Sequence, residues 1–222
     1  MINIQELFII RKWYLVRNEI KVLGSVLDHY RNTKNLDLVK IYKSRIINSI
    51  YFDKSNLEFF MFSEEGITPR KKIRFRWYDD DFNKGKLEIK NKNTFFSKKK
   101  IIEVNVKDKS LLSKIIHKIS KEKLIPTLFV TYKRQYFAYK NNSRLTLDTN
   151  IKYSALNRET KILNSYKSDI SVLEIKKNIN DNSTIYQSLF GARITRYSKY
   201  CEGIKLTTNN LIAGHGFEPR TF

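Results

Sequence analysis

"KKIRFRWYDDDFNKGKLEIKNK", residues 71–92, spaces its charges two residues apart: Lys72, Arg74 and Arg76, then, past a turn rich in Asp, Asn and Gly, Lys86, Glu88, Lys90 and Lys92. Residues two apart in a strand point to the same side. Arg70, Lys72, Arg74 and Arg76 therefore share one face, and Ile73, Phe75 and Trp77 share the other, which must pack on the core. Three further stretches obey the same arithmetic. Glu88 and Lys90 oppose Leu87 and Ile89; Arg144, Thr146 and Asp148 oppose Leu145 and Leu147; Glu174 and Lys176 oppose Leu173 and Ile175. One such strand is what any half-solvated sheet face looks like. Several cationic faces repel unless anionic oxygens lie between them, and guanidinium groups bind phosphate in two-pronged fashion. If the strands curl with their charged faces inward, the interior becomes a phosphate-binding tunnel with helices over the apolar outside.

The balance of 43 Lys and Arg against 22 Asp and Glu, a net charge of +21, implies a polyanionic partner, although a coding bias toward Lys, Ile and Asn accounts for the same excess. With 14 Phe and 13 Tyr the chain has ample core material, so it reads as globular. The single Cys201 excludes an intramolecular disulfide, and no apolar run reaches the length that spans a bilayer. "MINIQELFIIRKWYLV" lacks the apolar stretch of a secretory signal. The expectation is a cytoplasmic chain, with docking to the inner face of a membrane left open.

Ile-, Val-, Tyr- and Phe-rich segments bounded by Asn, Asp, Gly or Ser predict about eight strands: "FIIRKWYLV", "RIINSIYFD", "KKIRFRWYD", "KLEIKNK", "KKIIEVNV", "TLFVTYKRQYFAY", "SRLTLDTNI" and "SVLEIKK". Helical spacing of Ile20, Leu23, Leu27 and Tyr30 after Asn18 predicts one helix. Leu111, Leu112, Ile115, Ile116 and Ile119 after Asp108 or Ser110 predict a second, and "STIYQSLFGARI" a weaker third. The fold class expected is α+β, an antiparallel eight-stranded β-barrel with peripheral helices.

These residues resemble the VTC domain, the catalytic module of vacuolar transporter chaperone polyphosphate polymerases within the triphosphate tunnel metalloenzyme superfamily. The resemblance runs from about Arg11 to Cys201. It is carried in order by "RKWYLV", "INSIYFD", "KIRFRWY", "LEIK", "SKKK", "YKRQYF", "RLTLD", a second "LEIK" and "RYSKY". It implies a tunnel domain over residues 1–205, with 206–222 an unassigned tail, and it implies roles. Lys12, Arg74, Arg76, Lys90, Arg134, Arg144 and Lys199 match the family's catalytic cations. Arg70, one of Lys98 or Lys99, Arg196 and Ser198 match phosphate-binding positions, and Glu174 matches the glutamate that holds Mn²⁺ or Mg²⁺. Arg196 stands where the family usually has Lys. Glu88 and Asp148 are equally well read as salt-bridge partners or as metal ligands.

The implied activity is transfer of the γ-phosphoryl group of ATP to phosphate or a growing polyphosphate chain. ATP and polyphosphate would be the partners, a membrane protein is a further one left open, and nucleic acid is disfavoured. Regulation and translocation of the eukaryotic complex do not carry over. The sister CYTH group usually opens with Glu-x-Glu-x-Lys, whereas the corresponding stretch here is "IIRKWYL", which favours the polymerase branch; a CYTH-type tunnel triphosphatase hydrolysing inorganic triphosphate or nucleoside triphosphates stays the alternative, since the two differ in acceptor access and share the phosphate clamp. A noncatalytic RNA- or polyanion-binding protein would use Trp13, Trp77 and Tyr132 as a stacking platform. The aromatics mostly alternate with the cations, which turns them toward the core instead. His29 and His117 read as packing or surface residues on helices.

Overall fold

The opening stretch is a hairpin in the computed structural model, paired from Arg70 opposite Lys92 to Arg76 opposite Lys86. The structure describes residues 9–11, 18–25, 28–29, 33, 38–94, 97–106, 110–139, 143–177 and 196–214. Its strands are β1 (Ile9–Arg11), β2 (Asn18–Gly24), β3 (Val39–Asp53), β4 (Arg70–Tyr78), β5 (Lys84–Lys92), β6 (Ser97–Asn105), β7 (Ile125–Tyr139), β8 (Ser143–Leu156), β9 (Ile162–Lys167) and β10 (Ser171–Lys177). The helices are α1 (Glu58–Glu64), α2 (Ser110–Ser120) and α3 (Lys199–Gly214). The fold is α+β. One antiparallel sheet runs β1-β6-β5-β4-β3-β7-β8-β10-β2, with β9 added to β8, so the described residues carry ten strands against the eight expected.

Chain connectivity forces this sheet to curl. β1 and β2 are its two edges, and eight inter-strand steps of about 4.8 Å would hold them about 38 Å apart if it were flat. From Arg11 to Asn18 the chain can reach no more than about 25 Å. Ladder hydrogen bonds between the two edges are absent among the described residues, so the wall is curled without being shown closed.

Each face of the curled sheet has its own cover. On the convex side Ile73, Phe75, Trp77, Leu87, Ile89 and Ile102 pack with Leu112 and Ile116 of α2. Trp77 stacks on Phe129 with 5.7 Å between ring centroids. Gly85 is required here, because a Cβ would fall 1.8 Å from Cζ of Phe75. On the concave side Ile47, Tyr51, Leu128, Val130 and Tyr153 pack with Tyr200, Cys201 and Ile204 of α3. That helix passes so close that a Cβ on Gly203 would lie 2.4 Å from Leu128 and 2.6 Å from Tyr153. It also runs across residues 205 and 206, between which the tail was expected to begin.

The helix predicted from Asn18 is corrected. Residues 18–24 form β2, paired along its whole length with β10, because seven ladder positions and a buried Val22 outweigh the helical spacing of Ile20 and Leu23. The helix signal sits later, at Ser25. Ser25 and Asp28 exchange the reciprocal bonds of a capping box, Ser25 N–H to Asp28 Oδ2 at 2.9 Å and Asp28 N–H to Ser25 Oγ at 3.1 Å. Leu27, Tyr30 and the segment "STIYQSLFGARI" lie outside the described residues. No helix among the described residues is long and apolar enough to cross a membrane.

Candidate active site

Cross-strand partners point to the same side of a sheet, so registry tells which residues meet on the concave face. Ser49 faces Arg76 and Tyr51 faces Arg74 across β3 and β4, and Arg74 faces Glu88 across β4 and β5. On the other wall Arg134 faces Asp148, and Glu174 of β10 faces Thr146 of β8 and Lys21 of β2. The strand parity read from sequence thus brings Arg74, Arg76, Arg134, Asp148 and Glu174 into one bore.

Two carboxylate-centred clusters result. In the first, Arg74 Nε donates to Glu88 Oε2 at 2.7 Å and Lys99 Nζ lies 2.9 Å from Glu88 Oε1. Arg74 also donates to the Tyr51 hydroxyl at 2.9 Å, while Arg76 donates to Ser49 Oγ at 3.2 Å and to the Tyr132 hydroxyl at 3.1 Å. Burial alone would raise the Glu88 carboxyl, yet Arg74, Arg76 and Lys99 hold it well below the usual carboxylate range. Burial also pushes Lys99 down to about 8, with Glu88 opposing the shift.

The second cluster is built on Asp148, which is fully buried and grips Arg134 in bidentate fashion at 2.6 and 2.7 Å. Lys199 Nζ, from the first turn of α3, donates to Asp148 Oδ2 at 2.6 Å. Lys199, Arg134 and burial compete here, and the two cations win, so the Asp148 carboxyl is lowered. Glu174 lies 2.6 Å from Lys176 and 3.7 Å from Arg134, and these cations likewise overcome burial to keep it ionised. Tyr132 joins the clusters. Its hydroxyl accepts from Arg76, and its ring lies 4.7 Å from Lys199 Nζ and 5.3 Å from the Arg134 guanidinium carbon.

The "RYSKY" element works as a helix start. Ser198 caps α3 by accepting from Cys201 N–H at 3.3 Å, and its hydroxyl also accepts from Lys72 Nζ at 2.8 Å. Lys21 Nζ donates to the Tyr197 carbonyl at 2.9 Å. Burial lowers the Lys72 amine and the nearby cations Lys21 and Arg70 lower it further. β2 and β4 therefore approach each other across the bore, although five steps separate them within the sheet.

The remaining expected positions spread outward. Lys90 stands between Lys72 and Lys99 on the concave rows, at an exposed site. Lys98 pairs with Asn91, one position out of phase with Lys99, and so faces the convex side; of the two candidates, Lys99 is the one in the bore. Arg144 is exposed, opposite Lys176. Arg70 turns its guanidinium to the carbonyls of Gly66 and Ile67 at 3.1 and 3.3 Å. Arg196 is exposed beside Lys92, whose amine is lowered by burial and then by Arg70, Arg196 and Lys72. Lys12 lies outside the described residues, as do Trp13 and His215. His29 is buried and bonded through Nε2 to the Ser171 carbonyl at 3.0 Å.

Sequence reasoning did not select Tyr51, Ser49, Lys72, Lys176 or Lys21 as site residues, and parity holds the signal for the first four. Tyr132 was placed with the core-facing aromatics, but it lies two residues before Arg134 and shares its face; Trp77 does face the core.

No group of three or more His, Cys, Asp or Glu comes together among the described residues. The donor set still suits a hard cation that takes one or two carboxylates and completes its shell with phosphate oxygens and water. Glu174 and Asp148 converge on one guanidinium, and Thr146 Oγ1, opposite Glu174 in the register, is buried without a hydrogen-bond partner.

No curated protein matches the chain in sequence. Among solved structures it is similar to the PH1819 protein of Pyrococcus horikoshii OT3, with TM-score 0.50 and 15% identity over 87% of this chain and 99% of that one, a likeness of fold. It is also similar to a conserved hypothetical protein of Pyrococcus furiosus (TM-score 0.48, 11% identity, 84% and 99% covered). A third is a putative adenylyl cyclase from Hippeastrum, HpAC1, described as having a dominant triphosphatase activity (TM-score 0.46, 12% identity, 86% and 97% covered). The VTC domain matches residues 10–208, nearly the whole length, and the chain belongs to that family.

Proposed function

We propose that this protein is a metal-dependent polyphosphate polymerase that moves the γ-phosphoryl group of ATP to phosphate or to the end of a polyphosphate chain. The observation that carries the reading is the convergence of Arg74, Arg76 and Lys99 with Arg134 and Lys199 in one bore, linked through Tyr132. Phosphoryl transfer of this kind has a loose transition state, so placement of the phosphates and neutralisation of their charge supply most of the acceleration. A terminal oxygen of the acceptor phosphate forms the new bond to the γ-phosphorus as the bridging bond to the β-phosphate breaks, and ADP leaves with that electron pair. No protein nucleophile is needed.

Arg74 and Arg76 present their forks from one wall to the donor's phosphates, while Arg134 and Lys199 hold the other side. Lys90, Arg144, Arg70, Arg196, Ser198 and Lys12 complete the set by family resemblance. Glu174, with Asp148 beside it, would hold Mn²⁺ or Mg²⁺, which supplies charge neutralisation on the phosphate oxygens. The residues themselves orient the chain and keep it desolvated.

The test is to incubate the protein with ATP and Mn²⁺ and to resolve long-chain polyphosphate, orthophosphate and ADP over time. Polymer formed with ADP is the expected result; orthophosphate without polymer would make it a tunnel triphosphatase. Arg74→Ala should abolish turnover and leave a folded protein, since Glu88 keeps Lys99 and Arg76. Undiminished turnover in that variant would remove the tunnel assignment.

A further inference from the structure

The two rims of the bore differ in chemistry. One carries Arg70, Lys72, Lys92 and Arg196; burial and then the neighbouring cations lower the amines of Lys72 and Lys92. The other is aromatic, and sequence parity does not find Tyr42 there, because β3 is irregular at that end. Register shifts between Lys40 and Tyr42 and between Tyr42 and Arg45 set Tyr42 opposite Tyr136 and Arg45 opposite Arg134. Tyr42 thereby joins the face that carries Arg45, Ile47, Ser49 and Tyr51. Tyr42 and Tyr136 meet edge to face with centroids 5.8 Å apart, and the Arg45 guanidinium lies 5.6 Å above the ring of Tyr78, itself paired with Ile47. Tyr42 is 58% exposed, which wastes a large apolar surface unless something flat covers it. Tyr136 and Tyr78 each stand two residues, about 6.7 Å, along their strands from Arg134 and Arg76.

We infer that this rim is the nucleobase subsite: Tyr42, Tyr136 and the Arg45–Tyr78 pair stack the base of a nucleoside triphosphate whose phosphates lie among Arg76 and Arg134. The subsite rests on the tunnel reading and assigns residues to the base of its nucleotide. It makes a nucleoside triphosphate the preferred ligand over inorganic triphosphate, and because every base has a π-face it tolerates purine and pyrimidine alike.

Equilibrium binding of ATP and of inorganic triphosphate, measured by calorimetry on the full chain without turnover, tests it. Wild type should bind ATP more tightly. Tyr42→Ala should weaken ATP roughly tenfold, the scale of losing one stacking partner, and leave inorganic triphosphate unchanged, while Tyr42→Phe keeps the wild-type preference. Equal binding of both ligands by wild type, unaltered ATP binding by Tyr42→Ala, or a parallel loss for both ligands overturns the subsite and leaves the tunnel reading standing. Binding of neither ligand by wild type overturns both.

Discussion

Lys99 shows what burial does to a single amine in this bore. It is buried among Arg74 and Arg76 with Glu88 in opposition, and its amine is pushed down to about 8. A phosphate chain beside it would favour the charged form. Ligand binding near pH 8 should therefore take up protons, and affinity for inorganic triphosphate should fall as pH rises through that value, because the free amine must first be recharged. The sign is reversed in folding: between pH 8 and the unfolded lysine value the unfolded chain binds more protons, so this residue's share of stability rises with pH. Calorimetry in buffers of different ionisation enthalpy reads the proton uptake directly. Lys99→Arg, charged throughout, should abolish it; uptake that survives the substitution would assign the titration elsewhere. No inspection of "SKKK" yields this value, since it comes from residues on β4 and β5 that the fold brings alongside.

At the scale of elements, alternation made the β4–β5 hairpin and the "RLTLD" and second "LEIK" strands legible, because each buries a side chain at every second position. α2 was equally legible from Leu112, Ile115, Ile116 and Ile119. Two helices were not. α1 is a seven-residue stretch whose N-cap residue, Leu57, has left-handed backbone and no side-chain cap. Its first amides are satisfied instead by Asp53, which accepts from Phe59 N–H and Phe60 N–H at 2.9 Å and from the Tyr200 hydroxyl. α3 contains Gly203, Thr207 and Thr208, poor helix formers that are overruled by packing on the concave face. The same glycine gives a prediction. Gly203→Ala improves helix propensity by about 1 kcal/mol, yet its methyl group meets Leu128 and Tyr153. The expected net result is a loss of about 1–3 kcal/mol in a denaturant titration, with weaker triphosphate binding because Lys199 rides on this helix. A stabilised variant would mean that α3 stands off the sheet.

For the whole molecule the governing quantity is a net charge of +21, which opposes compaction in the absence of anions. Chloride relieves this only by screening, whereas a ligand bound to the bore acts by mass action, about 2.7 kcal/mol at a hundredfold excess over its dissociation constant. Inorganic triphosphate should therefore raise the melting temperature well beyond sodium chloride of equal ionic strength. Identical shifts would point to diffuse charge alone. Charge composition pointed to a polyanion without a place for it, and parity showed the faces but not their curvature. What curls the sheet is the short link between its edge strands, visible only once the strand order is known.

Glu88 and Asp148 already occupy the cation forks that phosphate would use. They are resident competitors, and each arriving phosphate gains only what it offers beyond the carboxylate it displaces. A lone orthophosphate contests one of these holds and leaves the other intact. Three phosphates in one chain contest both for a single loss of translational freedom. On the proposed function the bore would thereby favour linked phosphates over a lone orthophosphate.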